Sequence, residues 1–247
     1  MIPTEASLSA EDRLTFIEDY WSETFAQAGL PDSIKEKIIE YLIQGPDFVM
    51  DLLNVLEADP YLYILVDKQH ALNQDYAPAD LVELVDGNYR VTRQGLLLRQ
   101  AAVESLEAMA AASRSEGVIL TAASAYRSYA NQAEINSRLV RQMGQQEADR
   151  VSAPPGHSQH QLGLVLDFYP IEDRFAATPA SAWLERNAGR FGWSLSYPDG
   201  YEEITGYLWE SWHYRYLGPD LAAFKERYFE GIQQYALQFI YAWLFYD

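Results

Sequence analysis

The chain has 247 residues, with 36 Asp+Glu against 18 Lys+Arg, 49% hydrophobic and 14% aromatic residues, and no cysteine. At about 100–200 residues per domain this is one large domain or a domain with an appendage, and so aromatic a chain buries a core and is not disordered. The formal net charge of −18 argues against nucleic acid or anionic lipid as partner, and the absence of cysteine excludes disulfides, thiol catalysis and thiolate-held metal.

The first sixty residues read as helices. Ser9 is placed to cap the first, with Asp12 three residues on; Leu14, Ile17, Trp21 and Phe25 recur at helical spacing, and Gly29 ends the run. A second helix carries Ile34, Ile38, Ile39 and Leu42 before Gly45-Pro46, and a third covers 48–56, bounded by Asp59-Pro60. Residues 61–66 read as a strand, followed by a polar stretch to Pro78, and 89–92 as another short strand. A helix is expected over 96–114, stopped by Gly117, then a buried strand over 118–122 and a helix over 131–143. Residues 145–161 contain Pro154-Pro155-Gly156 and read as a loop; 163–169 read as a strand, and 179–191 as a helix entered through Thr178. Short strands follow around 193–197 and 212–216, and Gly218-Pro219 opens an aromatic-rich helical tail. Strands and helices without a regular βαβ rhythm predict an α+β fold. No apolar run approaches 18 residues, so no membrane-spanning segment is expected. Residues 1–5 lack the basic and apolar regions of a signal peptide, so the chain as written reads as not exported by one.

There are four histidines: His70, His157, His160 and His213. His157 and His160 lie in the loop over 155–160. Asp167 follows the apolar run 164–166, where a strand fixes the direction of the side chain. A strand over 212–216 puts His213 and Arg215 on one face and Trp212, Tyr214 and Tyr216 on the other, toward the core. Two imidazoles and one carboxylate make a three-ligand set for a catalytic divalent metal, with a position open to water. A glutamate outside that set would be its general base. A loop histidine is more ordinarily a solvated surface residue, and spacing alone leaves both readings open. His70, in Asp67-Lys68-Gln69-His70, shows no acidic or histidine partner at useful spacing and reads as surface or structural. Arg127 emerges after the strand 118–122, a place suited to bidentate capture of a carboxylate; the ordinary alternative is a surface ion pair.

Ser124-Ala125-Tyr126-Arg127-Ser128-Tyr129 with Gln132 resembles the "S-x-Y-R-S-x-x-x-Q" motif of the VanY-type D-alanyl-D-alanine carboxypeptidases. The run from Pro155 through His157, Ser158 and His160 to Asp167 is similar to that family's "P-G-x-S-E-H-Q-x-G-x-A-x-D". Trp183-Leu184-Glu185-Arg186-Asn187-Ala188, Thr205-Gly206-Tyr207 and Glu210-Ser211-Trp212-His213-Tyr214-Arg215-Tyr216 resemble its later motifs, in order, so the likeness spans about residues 60–218. The resemblance implies a small antiparallel sheet flanked by helices and zinc held by His160, Asp167 and His213. It further implies Glu210 as catalytic base, Arg127 as the site of the substrate's terminal carboxylate, and Ser158 and Gln132 as pocket residues. Four positions depart from the pattern: Gln159 for Glu, Val165 for Ala, Ser196 for Arg and Tyr201 for Lys.

The implied activity is a zinc D,D-carboxypeptidase that removes the terminal D-Ala from peptidoglycan stem peptides. The alternatives are an L,D-carboxypeptidase on tetrapeptide stems, a peptidoglycan endopeptidase and a non-catalytic wall-binding module. The two-His, one-carboxylate set also suits Fe(II), but iron oxygenases usually place their first two ligands one residue apart, and His160 and Asp167 are seven apart. Partners would be stem peptides or muropeptides in the cell envelope or periplasm, with the cytoplasm left open by the N-terminus. The expected organisation is an N-terminal helical region over 1–59, a zinc peptidase domain over 60–218 and a helical tail over 219–247 packed on the domain. The tail's Phe229, Tyr235, Phe239, Trp243 and Phe245 are expected against the N-terminal helices.

Overall fold

The computed structural model describes residues 10–246; the proposed cap Ser9 and residues 1–5 lie outside the described residues. The chain divides into two compact units, Met1–Ile64 with Phe224–Asp247, and Leu65–Ala223.

The first unit is helical: α1 (Ala10–Ala28), α2 (Asp32–Gln44), α3 (Asp47–Glu57) and α10 (Gln233–Tyr246), with the end of α9 (Gly218–Tyr228). The apolar stripes seen in the sequence face inward: Trp21, Phe25, Ile34, Ile38, Phe48 and Leu52 are buried. Trp21 stacks on Phe239 at 5.7 Å between ring centroids and on Trp243 at 6.3 Å. Phe48 meets Phe224, Tyr228 and Phe239. The Arg227 guanidinium bridges Asp47 at 2.8 Å and Asp51 at 2.9 Å. The strand expected over 61–66 is not formed. Pro60–Tyr63 is a 3-10 turn opened by the proline, whose fixed φ suits the first helical position, and the Tyr61 hydroxyl donates to Asp59 at 2.9 Å.

The second unit contains α4 (Gln100–Ser115), α5 (Tyr129–Met143), α6 (Gln145–Val151), α7 (Pro179–Asn187) and α8 (Glu202–Thr205) around two sheets. β1 (Leu81–Glu83) and β3 (Leu97–Arg99) form an antiparallel ribbon. The larger sheet holds β2 (Arg90–Val91), β4 (Thr121–Ser124), β5 (Val165–Phe168), β6 (Trp193–Leu195) and β7 (His213–Tyr216) in the order β2-β4-β5-β7-β6. Only β2–β4 is parallel among these pairs. The α+β expectation therefore holds.

Several boundaries differ from expectation. The buried strand expected over 118–122 forms instead at Thr121–Ser124, after a turn in which Val118 N donates to the Ser113 carbonyl at 3.0 Å and Ile119 is 51% exposed. The helix placed at 96–114 starts only at Gln100, because residues 97–99 pair with β1 and that pairing overrides local helix propensity. The segment 145–161 contains α6 and a 3-10 turn over Gln159–Leu162, and Arg150 in α6 is held by a bidentate pair with Glu202. Every residue of β5 and β7 is buried, so both faces of the central pair are covered. Trp212, expected within the last strand, precedes it and is half-buried. No described helix is long and apolar enough to cross a membrane.

Phe239 is fully buried in the helical unit and Phe16 is 65% exposed. Phe239→Ala should therefore cost about 3–5 kcal/mol of stability, whereas Phe16→Ala should change it by under about 0.5 kcal/mol. Chemical denaturation of the two variants checks this.

Candidate metal centre and active site

β5 and β7 lie side by side with Asp167 directly opposite His213. Opposed residues of an antiparallel pair have Cβ atoms about 4.5–5.5 Å apart on one face, so the sheet itself brings this carboxylate and imidazole together. His160 comes from the 3-10 turn that precedes β5. Gly163 closes that turn at φ +69°, and a Cβ there would sit 2.9 Å from the Leu81 side chain and 3.1 Å from that of Arg99. Only glycine fits this left-handed, crowded position, which lets the chain deliver His160 and then enter β5.

The carbonyl oxygen of Ala125 lies 2.7 Å from His160 Nδ1. A carbonyl can only accept, so Nδ1 carries the hydrogen and the neutral ring keeps its lone pair on Nε2. That Nε2 lies 3.1 Å from Asp167 Oδ2. His213 Nδ1 lies 3.0 Å from Asp167 Oδ1 and 3.2 Å from Glu210 Oε2. His160, Asp167 and His213 are all buried, and one ligand atom from each lies within 4.8 Å of the others. Asp167 Oδ1 has no hydrogen-bond partner despite the nearby ring nitrogen.

A lone pair facing a carboxylate repels it unless a proton or a cation intervenes. Burial drives the His160 pKa down to about 4, against the attraction of Asp167, so near neutral pH a proton is not the answer on that side. Burial also opposes charge on His213, but the neighbouring Asp167 and Glu210 carboxylates outweigh it and carry the pKa up to about 9. For Asp167, burial raises the pKa and the two imidazoles more than reverse this, holding it well below the usual carboxylate range. On the His160 side the cluster therefore sets an anionic carboxylate against an imidazole lone pair with no proton between them; a bound cation would meet both and take the place of the proton that His213 otherwise carries. Two nitrogens and an oxygen in this arrangement fit a divalent metal such as zinc.

Glu210 is tethered by its backbone: its N–H donates to the Tyr197 carbonyl and its own carbonyl accepts from His213 N, each at 3.1 Å. Its side chain stays 19% exposed, and burial raises its pKa. The Tyr197 ring lies 4.6 Å from the His213 ring, and Tyr207 packs on Tyr197 at 4.9 Å. These two tyrosines were not singled out from the sequence; the aromatic residues after Ser196 and Gly206 were the available signal.

Arg127 sits just past β4. Its Nη1 donates to Gln132 Oε1 at 2.8 Å and its Nη2 to Ser124 Oγ at 3.1 Å. Gln132, itself buried, donates in turn to the Ala153 carbonyl at 2.6 Å and to Ser152 Oγ at 3.2 Å. Gln132 therefore orients the guanidinium, and Ser124 is a supporting residue that sequence reasoning missed. Burial lowers the Arg127 pKa while Asp167 and Glu210 oppose it, which puts the guanidinium within reach of the cluster's field. Ser158 is buried at the entrance to the turn that carries His160. Gln159 accepts from Ser196 Oγ at 2.9 Å, so two of the positions that depart from the family pattern bond each other.

The remaining histidines stand apart from the cluster. His157 Nδ1 lies 2.7 Å from the Asp67 carbonyl. The expectation that His70 lacks an acidic partner is wrong. Asp67 Oδ1 lies 2.8 Å from His70 Nδ1 and also accepts from the backbone N–H groups of Gln69 and His70. An Asx-type turn therefore brings the two side chains together.

The family model described as VanY, D-alanyl-D-alanine carboxypeptidase, matches residues 95–219. That stretch includes Arg127, Gln132, Ser158, His160, Asp167, Glu210 and His213. YodJ of Bacillus subtilis (strain 168) is 33% identical over 199 residues, covering 75% of this chain and 73% of its own length. The solved structure of the LD-carboxypeptidase LdcB superposes with a TM-score of 0.61 at 34% identity, over 68% of this chain and 85% of that one. A variant of the D,D-pentapeptidase VanY from a VanB-type vancomycin-resistance cassette, in complex with Zn(II), gives 0.58 at 31% identity over 70% and 96%. The chain belongs to the VanY family of D-alanyl-D-alanine carboxypeptidases.

Proposed function

We propose that this protein is a zinc-dependent D,D-carboxypeptidase that removes the terminal D-Ala from peptidoglycan stem peptides, working in the cell envelope where those peptides lie. The observation that carries this reading is the buried His160–Asp167–His213 group with Glu210 at 3.2 Å from His213. The catalytic domain is the stretch 60–218, which nearly coincides with the unit Leu65–Ala223.

In this reading His160 Nε2, Asp167 and His213 Nδ1 hold the metal, the Ala125 carbonyl having set the His160 tautomer. Zinc held there would supply Lewis-acid chemistry, lowering the pKa of a water to about 7 and polarising a carbonyl. Glu210 would accept a water's proton on its carboxylate and return it to the leaving amine. Burial raises its pKa, which brings it closer to the working pH of a general base. Arg127 receives the substrate's terminal carboxylate through donors not engaged by Gln132 and Ser124. Ser158 borders the pocket beside His160.

A second reading, an L,D-carboxypeptidase acting on tetrapeptide stems, is supported by the likeness to LdcB. Purified protein assayed on pentapeptide and tetrapeptide muropeptides separates them: release of D-Ala from the pentapeptide alone supports the D,D reading, and release from the tetrapeptide alone replaces it. The C-terminal amide of the preferred substrate should be turned over at least about 100-fold more slowly in kcat/KM, since the charged contact to Arg127 is lost. Equal rates on acid and amide would point to an endopeptidase.

The protein should bind one zinc per chain. His160→Ala should lose it and His157→Ala should retain it, as read by elemental analysis after dialysis. Glu210→Gln should keep the zinc and the fold but lose about 100- to 10,000-fold in kcat; steady-state kinetics with a parallel metal assay tests this, and a near wild-type kcat would remove Glu210 from the chemistry.

A further inference from the structure

Arg127 is half-buried, and Asp167 and Glu210 lie close enough to act on its charge. The protein as a whole carries −18. A peptide ending in a carboxylate is thus repelled by most of the surface, and the residue that is to bind it lies partly below that surface.

A second guanidinium stands beside that position. In the parallel pair β2–β4, Val91 lies opposite Ala122, and Thr92 N donates to the Ala122 carbonyl at 3.0 Å. β2 ends at Val91 and residues 92–94 form a bend, so Arg93 follows directly on the Thr92–Ala122 bond, at the end of β4 that carries Ser124. Ser124 is the residue whose hydroxyl holds Arg127 Nη2. Arg93 is exposed and makes no ion pair among the described residues. The acidic side chains near it in sequence are engaged elsewhere: Asp86 with Arg90 and the Val91 N–H, and Glu83 with the Gly95 N–H. Its charge is felt at Arg127.

We infer that Arg93 is the outer cation of the Arg127 pocket, an exposed guanidinium that captures the free C-terminal carboxylate of an incoming peptide and passes it to Arg127. This rests on the carboxypeptidase reading above. Unpaired among the described residues and at the surface, Arg93 acts on the approach of substrate and not on bond cleavage. Its effect belongs in kcat/KM and must fade with salt, because the Debye length shrinks from about 30 Å at 0.01 M to about 3 Å at 1 M.

The test compares zinc-loaded wild type, Arg93→Gln and Arg93→Lys on an N-acylated peptide ending in D-Ala-D-Ala and on its C-terminal amide, at low and high ionic strength. Arg93→Gln should lower kcat/KM for the acid roughly three- to tenfold at low salt, with kcat unchanged, and by less than about twofold near 1 M. Arg93→Lys should keep most of the wild-type rate, and the amide should not respond. A readout without turnover is calorimetric binding of N-acetyl-D-alanine, which Arg93→Gln should weaken with the same salt dependence. Wild-type kcat/KM and affinity in Arg93→Gln at low salt overturn the inference, as does a loss that persists at high salt or appears equally on the amide. Hydrolysis that depends on Arg127 but not on Arg93 sinks this inference alone. Salt-dependent binding through Arg93 without peptide hydrolysis sinks the carboxypeptidase reading and leaves the capture role standing. Failure of wild type to bind N-acetyl-D-alanine at all overturns the capture role.

Discussion

The Ala125 carbonyl can only accept a hydrogen bond, and this one restriction decides what the buried cluster can do. It puts the hydrogen of His160 on Nδ1 and turns the lone pair of Nε2 toward Asp167. Were the ring free to rotate or change tautomer, it could donate an ordinary hydrogen bond to Asp167, and no lone pair would face the carboxylate. Fixed as it is, the ring leaves its Nε2 lone pair facing the Asp167 carboxylate, a pairing that a bound cation would relieve. Ala125 holds this place because β4 ends at Ser124 and the chain then turns past the 3-10 turn, where Arg127 N donates to the His160 carbonyl at 3.2 Å. The backbone segment that orients the first histidine is therefore the one that carries the arginine.

The electrostatics follow from that geometry. Carboxylates, imidazoles and a guanidinium are gathered in one half-enclosed space, and each sets the ionisation of the others. Asp167 is stabilised as an anion by two rings, His213 is drawn upward by two carboxylates, and Glu210 at the edge is left with a raised pKa. Neighbouring acids driven in opposite directions can hold different roles, one as a permanent anion and the other as a proton acceptor. The tyrosines that cover His213 add apolar walls and keep these interactions out of water.

Much of this site was legible in the residues before any coordinates. Asp167 follows an apolar run short enough to be a buried strand, and His213 stands in an aromatic alternation that fits only a covered one. The helical stripes around Trp21, Ile34 and Phe48 were equally plain. Residues 97–99 were not, because Leu-Leu-Arg continues smoothly into a helix-forming stretch and its strand partner β1 lies far back in the sequence. Residues 61–66 were misread because an apolar run after Pro60 suits a strand and a tight turn alike. The support of Arg127 by Gln132 depends on where α5 begins, which is set by Ser128 accepting from the Asn131 N–H. The pairing of His70 with Asp67 was in plain view at three residues' spacing, but it needs a turn that residue types alone do not announce.

The ladder that sets Asp167 against His213 is made of backbone hydrogen bonds between the two central strands. Those bonds do not depend on which side chains occupy the surrounding loops. A lineage built on this frame can exchange the surrounding segments, or recast a charged pair as the neutral Gln159–Ser196 contact, without changing the spacing of those two residues. His160 has no such insurance, because a turn, one glycine and one carbonyl hold it in place. Divergence in substrate choice is therefore cheap for this architecture, while divergence in the bound ion runs through the few residues around His160.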